Sequence, residues 1–290
     1  MTMIDVWEFA AIITKLTLYV GVLGGTGLIM VSVCYPQEVA SVRKRLRWGI
    51  AISSLLLIVA SAFSYLLRAA ALTGGVDGMF DPEMLGLLWQ TPVGDVLVYR
   101  SMAAAMMLLG LVTPVIGQWV SLCAGILALW SFAQIGHVQT LDQTWVRTLH
   151  LLHLLGVAFW IGVPLPLHDL AISNERLADA ARLGERFGAA ASVIVPLLFV
   201  AGGVLVWLLV GDFGTLLQTS YGRTLLVKIG LVGLVLLLAA ANKLRFVPAM
   251  TAGNTQAASH LAKSIRIEAL LIFATLAATA TLTSVVTLPE

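Results

Sequence analysis

The chain has 290 residues, of which 59% are hydrophobic and 11% are charged, and its formal net charge is +2. Because soluble globular domains contain about 25% charged residues, this composition excludes an ordinary soluble domain and indicates an integral membrane protein. The small net charge, without a basic cluster among aromatic residues, argues against nucleic acid as a partner and leaves membrane lipid as the surrounding medium.

Windows of about 20 apolar residues predict eight transmembrane helices. They lie near residues 9–34, 48–72, 94–114, 118–136, 148–172, 187–210, 223–242 and 264–286. No loop between them is long enough to fold as a separate soluble domain of about 50 residues. The sequence therefore predicts an all-α, polytopic membrane helical bundle in which residues 1–290 form a single transmembrane domain.

The distribution of basic residues predicts the orientation of the bundle. The loop after the first predicted span contains Arg43, Lys44, Arg45 and Arg47. The positive-inside rule places this loop in the cytoplasm. Alternation of the spans then brings the other basic loops to the cytoplasmic side, so both termini are predicted to be periplasmic.

The first and third spans contain soft sulfur ligands at helical spacing. Met30 and Cys34 are four residues apart, and so are Met102 and Met106. Thioether and thiolate groups select Cu(I), so these residues are candidate ligands along a copper route. The alternative is that they are ordinary apolar side chains of membrane helices.

Small residues recur at a spacing of four in two spans. Gly21 and Gly25 lie in the first span, and Gly184 and Gly188 enter the sixth. This spacing allows the backbones of neighbouring helices to approach closely in lipid. We expect these glycines to serve helix packing.

Three histidines converge in the sequence at one predicted membrane surface. His137 ends the fourth span, and His150 and His153 begin the fifth, with a loop of about ten residues between the spans. Neutral imidazole binds copper, zinc, iron and nickel, so a late transition metal is the expected ligand. The alternatives are that the His150 and His153 pair only forms helix hydrogen bonds, or that His150 is simply an interfacial residue.

The second half of the fifth span contains two prolines and another histidine. Pro164 and Pro166 are expected to break or kink the helix after Trp160. His168, next to Asp169, is either a ligand at the exit of a copper route or part of an ordinary charged helix end.

Two charged residues lie inside late spans, where charge is costly. Lys228 is expected near the outer surface and Glu268 near the inner surface, so the two are not expected to pair. Lys228 either has a functional role, snorkels to the interface, or pairs with a residue such as Asp95 or Asp212. No phosphate-binding loop, nucleophile elbow or HExxH motif occurs, so we expect no enzyme activity.

Several of these segments resemble the bacterial copper resistance protein D family. The similar segments are Leu149–Gly162 with Gly136-His137 before it, Gln218–Lys228, Ala241–Pro248, and Ser264–Glu268 with Pro289 near the end. The positions that match the family pattern are His137, His153, Trp160, Tyr221, Gly222, Arg223, Lys228, Asn242 and Glu268. The resemblance implies an eight-span inner-membrane protein that moves copper from periplasm to cytoplasm, beside a periplasmic copper-binding protein of the C type.

The expected function is therefore non-enzymatic import of copper, as Cu(I) or Cu(II), through the bacterial cytoplasmic membrane. The predicted copper ligands are His137, His153 and His150, followed by Met30, Cys34, Met102, Met106 and His168. Trp160, Lys228, Glu268 and Arg223 are predicted to be further functional or structural residues inside the membrane. Two alternatives remain: histidines on neighbouring spans hold a b-type haem for electron transfer, or the protein docks or senses a periplasmic copper carrier without transport.

Overall fold

The computed structural model describes residues 6–113, 116–136, 143–210 and 213–285, and these residues form helices and turns without a strand. The all-α prediction is thereby confirmed. The helices are α1 (Val6–Cys34), α2 (Ala40–Thr73), α3 (Pro82–Trp89), α4 (Pro92–Val112), α5 (Gly117–Ala133), α6 (Thr144–Ala171), α7 (Asn174–Val210), α8 (Phe213–Gln218), α9 (Ser220–Thr251) and α10 (Thr255–Ser284).

Within the described ranges, seven helices are long and apolar enough to cross a membrane, namely α1, α2, α4, α6, α7, α9 and α10. The shorter apolar helix α5 lies where the fourth span was predicted. The last helix begins at Thr255, ahead of the predicted residue 264, because Asn254 caps it. The Asn254 side chain accepts hydrogen bonds from the backbone N–H groups of Gln256 and Ala257, at 3.0 and 3.2 Å.

Helix α1 lies at the centre of the bundle, since 67% of its 18-residue apolar segment is buried inside the protein. Its glycines permit this position. A Cβ added at Gly21 would lie 2.9 Å from the backbone nitrogen of Leu57, and one at Gly25 would lie 2.9 Å from the Ser53 Cβ. The predicted role of these two glycines in packing is confirmed, with α2 as the neighbour.

Helix α6 crosses α1 with backbone against backbone. A Cβ at Gly27 would lie 2.8 Å from the Gly162 nitrogen, and nearer still to the Ala158 carbonyl oxygen. A Cβ at Gly162 would in turn lie 2.8 Å from the Gly27 Cα. Neither position has room for a side chain, so this crossing fixes the place of α6 in the bundle.

The predicted break in α6 is confirmed. Its first part, Thr144–Gly162, ends before Val163, and its second part, Pro164–Ala171, begins with a proline. Proline is suited to the first turn of a helix because the backbone N–H that it lacks would have no partner within that turn.

Helices α7 and α9 pack closely along the glycines of α7. A Cβ at Gly184 would lie 2.7 Å from a methyl group of Val247, and one at Gly188 would lie 3.2 Å from the Lys243 side chain. The facing part of α9 contains a π-helical turn, Asn242–Phe246. The packing role predicted for Gly184 and Gly188 is confirmed, and the π-turn belongs to a class that recurs at functional sites.

One end of the bundle, here called the basic end, contains ion pairs between basic and acidic side chains. Arg45 Nε lies 2.8 Å from the buried Asp169 carboxylate, and Arg186 Nη1 lies 2.5 Å from Glu38 Oε1. Burial alone would raise the pKa of Glu38, but the hydrogen bond from Arg186 and the nearby positive charges hold that pKa below its usual 4.5. The opposite end, here called the acidic end, includes Asp77, Asp81 and Glu83 between α2 and α4.

Candidate functional site

The first part of α6 presents two imidazoles at the acidic end of the bundle. His150 and His153 are three residues apart on a continuous helix, so they share one of its faces. Both side chains are half-buried. The structure therefore brings these two predicted ligands together.

The His153 side chain is directed toward α7. A Cβ added at Gly202 would lie 3.5 Å from the His153 Cε1, and the imidazole interacts with the backbone of Leu198. The Nδ1 atom of His153 is buried and has no hydrogen-bond partner. In the tautomer that carries its proton on Nε2, this nitrogen has a free lone pair with which to bind a metal ion.

Lys228 of α9 lies within electrostatic range of this histidine pair. Its charge is close enough to interact electrostatically with both His150 and His153. A positive charge at this place opposes the binding of any second cation to the imidazoles. This proximity could not be predicted from the sequence, because 75 or more residues of chain separate Lys228 from the histidines.

The third predicted histidine, His137, lies outside the described residues. Across the ranges 6–113, 116–136, 143–210 and 213–285, no group of three His, Cys, Asp or Glu side chains is arranged to hold a metal ion. The described part of this site thus consists of two imidazoles and one ammonium group.

A second polar site surrounds Glu268, in the half of the bundle nearer the basic end. Trp160 Nε1 of α6 donates a hydrogen bond to Glu268 Oε1 at 2.9 Å. Asn242 Nδ2, in the π-turn of α9, donates to Glu268 Oε2 at 3.0 Å. The structure therefore brings Trp160 and Glu268, two of the predicted residues, into direct contact.

These three side chains border a cavity of about 180 Å³. It is lined by α6, α7, α9 and α10, and its wall is mostly apolar, including Val163, Leu167 and Leu236. Lys243 and Ser192 add polar groups, and the Lys243 ammonium donates a hydrogen bond to the Ser192 hydroxyl. The volume is sufficient for a small ion with a few waters.

The histidine pair and the Glu268 site lie along the same helices. His153 and Trp160 are seven residues apart on α6, which corresponds to a rise of about 10 Å. Helices α7 and α9 contribute to both sites, through Leu198 and Lys228 at the first and through Ser192 and Asn242 at the second.

His168 lies at the basic end, away from both sites. Its Nδ1 is 3.6 Å from the Asp169 carboxylate, which is itself paired with Arg45, while its Nε2 is buried without a hydrogen-bond partner. The arrangement is that of a charged helix end.

The predicted sulfur ligands are dispersed. Met102 is 51% exposed on the outer surface of α4, and Met106 is packed against the core. Cys34 is an exposed free thiol at the end of α1, and Met30 is partly buried one turn earlier. The structure does not gather these four residues into one site.

The family-like segment around Arg223 forms the start of α9. Thr219 caps this helix by accepting a hydrogen bond from the Gly222 N–H at 3.0 Å, and the exposed Arg223 donates from Nε to the Leu217 carbonyl. A Cβ at Gly222 would lie 2.5 Å from the Leu216 Cα. These contacts give the segment a local structural role.

Comparisons with known proteins match two parts of the chain to one protein family. A family model described as copper resistance protein D matches residues 181–282, and one described as copper resistance protein D-like, N-terminal domain, matches residues 3–146. Lys228, Asn242 and Glu268 lie within the first match, while residues 147–180, with His153 and Trp160, lie between the two. No curated protein and no solved structure matches the chain.

Proposed function

Because the chain belongs to the copper resistance protein D family and is a multi-pass protein of the inner membrane, we propose that it imports copper from the periplasm into the cytoplasm. Copper is the substrate, and it crosses unchanged. The family relationship supports copper as the ion, and the positions of the polar groups in the bundle support passage through it.

The observation on which this proposal rests is the histidine pair at the acidic end of α6. His150 and His153 offer two imidazoles on one face, and the buried Nδ1 of His153 has no other partner. Imidazole nitrogens bind both Cu(I) and Cu(II). His137, which precedes α6 in the chain, is the proposed third ligand.

The proposed direction is import, and the orientation proposed for the bundle supports it. Eight membrane-crossing helices with both termini in the periplasm would place the histidines at the periplasmic surface. The basic end, with Arg45, Arg186 and Lys243, would then face the cytoplasm, as the positive-inside rule requires. A periplasmic copper-binding protein of the C type is the proposed donor to the histidines.

The neighbouring charge of Lys228 supports transport over storage. An ammonium group close to the imidazoles weakens the binding of a copper cation, and an ion in transit must bind weakly enough to leave. Lys228 is therefore proposed to limit the residence time of copper at the histidines.

Copper binding by purified protein tests this proposal. The double variant H150A/H153A is compared with the wild type and with H260A, a matched control that removes an exposed histidine near the basic end. We expect the wild type and H260A to bind copper and the double variant to bind it at least tenfold more weakly, since two of its ligands are gone.

A folded double variant that binds copper like the wild type would contradict the proposal. A Soret absorption band in the purified wild type would instead favour the haem alternative. Copper binding without entry of copper into cells would favour the docking alternative.

A further inference from the structure

Glu268 is a buried carboxylate without a cationic partner. Its side chain is 5% exposed, and it accepts hydrogen bonds from two neutral donors, Trp160 and Asn242. Within the described residues no lysine, arginine or histidine forms an ion pair with it. An ionised carboxylate in such surroundings is costly, so its charge requires a compensating cation.

Besides the two hydrogen-bond donors, the surroundings of Glu268 contain a hydrogen-bond acceptor that has no partner. Asn242 is buried, and its Oδ1 has no hydrogen-bond partner although its Nδ2 donates to Glu268. Ser264, one helical turn before Glu268 on the same face of α10, has a buried hydroxyl without a partner. The cavity thus borders a carboxylate and an unpaired amide oxygen, both of which attract positive charge.

The other titratable groups near this site are engaged elsewhere. Lys243 of α9 lines the cavity, but its ammonium donates to Ser192. Asp169 of α6 is paired with Arg45, and Glu185 of α7 accepts a hydrogen bond from Thr251.

At the end of α1, Cys34 and Tyr35 are the titratable groups closest to this site, since the Tyr35 ring lies 6.1 Å from that of Phe159, the neighbour of Trp160. A further titratable group on this side is Tyr19. Its hydroxyl contacts Thr283 at 3.1 Å, about four turns beyond Glu268 on α10. Among the described residues, Glu268 and Lys243 are the acidic and basic side chains on the cavity wall.

The chemistry of this site favours a proton over a resident copper ion. Carboxylate and amide oxygens are hard ligands, whereas Cu(I) selects sulfur and imidazole. The site has three oxygen-bearing side chains at the cavity, Glu268, Asn242 and Ser192, too few for the six or more oxygen ligands of Mg²⁺ or Ca²⁺ without several waters. A proton needs a single carboxylate oxygen and an acceptor for the resulting O–H.

We propose that Glu268 holds a proton when copper is absent, and that a copper ion entering the adjacent cavity displaces this proton. The proposal rests on the proposed function, because it assigns to the same pathway an exchange of copper for a proton. In the exchange, the O–H bond of the neutral acid breaks, the proton passes to water, and the carboxylate charge compensates the arriving copper cation.

Asn242 provides the means to accommodate both states. When Glu268 is ionised, its two oxygens accept from Trp160 Nε1 and Asn242 Nδ2, as in the structure. When Glu268 is protonated, rotation of the Asn242 amide turns its Oδ1 toward the new O–H, which can then donate. The unpaired oxygen seen in one state thus acquires a partner in the other.

Infrared difference spectroscopy tests the exchange, because a neutral carboxylic acid has a C=O stretch separate from the bands of carboxylates and imidazoles. Spectra of the purified wild type in lipid bilayers are recorded at neutral pH without copper and after adding copper. We expect an acid band that disappears on copper binding, with release of a proton to a pH indicator for each copper bound.

Two variants test whether the acid band belongs to Glu268. E268Q is expected to lack it and to release no proton from this site, whereas E185Q, which removes an exposed glutamate of α7, is expected to retain both signals. Should E268Q not fold, E268D retains a carboxyl group, and a shift in band frequency assigns the signal instead.

Two outcomes would overturn the inference while leaving copper transport intact: an acid band that copper binding does not change, or an unchanged band in E268Q. If no copper binds to the wild type, the proposed function fails and the exchange fails with it. The copper-free spectrum would then still decide whether Glu268 holds a proton.

Discussion

Replacement of Gly27 by alanine is expected to separate α6, which carries the histidine pair and Trp160, from the central helix α1. The new Cβ would lie 2.8 Å from the Gly162 nitrogen and closer to the Ala158 carbonyl oxygen. All of these atoms belong to helical backbone, so no side chain can rotate away. Helices α1 and α6 must therefore move apart as rigid bodies.

The size of this effect follows from the geometry. Restoring ordinary contact distances of about 3.5 Å requires the helices to separate by roughly 1 Å at the crossing. Overpacking of this kind costs about 1–3 kcal/mol, and the absence of a movable side chain favours the upper part of that range. The better helix propensity of alanine offsets only about 0.5–1 kcal/mol. A net loss of about 2 kcal/mol is expected.

The assay is the equilibrium unfolding of purified protein in mixed micelles, with G230A as the matched control. Gly230 lies on α9, and a Cβ there would meet no atom within 4 Å. G230A should therefore be as stable as the wild type or slightly more stable, whereas G27A should be less stable. Equal stability of G27A and G230A would refute the backbone crossing.

Two further predictions concern single contacts. W160F removes the indole N–H that donates to Glu268 and should lower the free energy of unfolding by about 1–3 kcal/mol, while the control W207F, which changes an exposed tryptophan, should have little effect. Because the pKa of Glu38 is lowered in the folded protein, its ion pair with Arg186 should stabilise the protein fully above about pH 4.5, and this contribution should be lost as the pH falls through the lowered value. Unfolding midpoints measured against pH should show this loss in the wild type and not in E38Q; parallel curves would contradict the assignment.

The helices were largely predictable because a long apolar segment in a membrane has few conformations other than a helix that satisfy its backbone hydrogen bonds. The break at Val163 was predictable from Pro164 and Pro166, and the close helix contacts from the spacing of Gly21 and Gly25. The start of α10 was not, because the first nine residues of that helix are not predominantly apolar and depend on the Asn254 cap. Hydropathy detects the part of a helix in lipid and misses its polar extension.

The site was predictable only in part. The pairing of His150 with His153 follows from helical periodicity, which is a local property. The contact between Trp160 and Glu268 spans 108 residues of sequence and depends on where α6 and α10 meet. A buried indole N–H and a buried carboxylate each need a partner, and this shared requirement was the available signal. The position of Lys228 beside the histidines likewise depends on tertiary packing.

Copper uptake into lipid vesicles containing the purified protein tests the central proposal most directly. A copper-sensitive fluorophore is enclosed, and copper is added to vesicles in which the acidic end of the bundle faces outward. The initial rate should be well above that of protein-free vesicles, and it should fall at least tenfold in H150A/H153A but not in H260A. Uptake by the double variant at the wild-type rate, or no uptake by the wild type, would contradict import through the histidine pair.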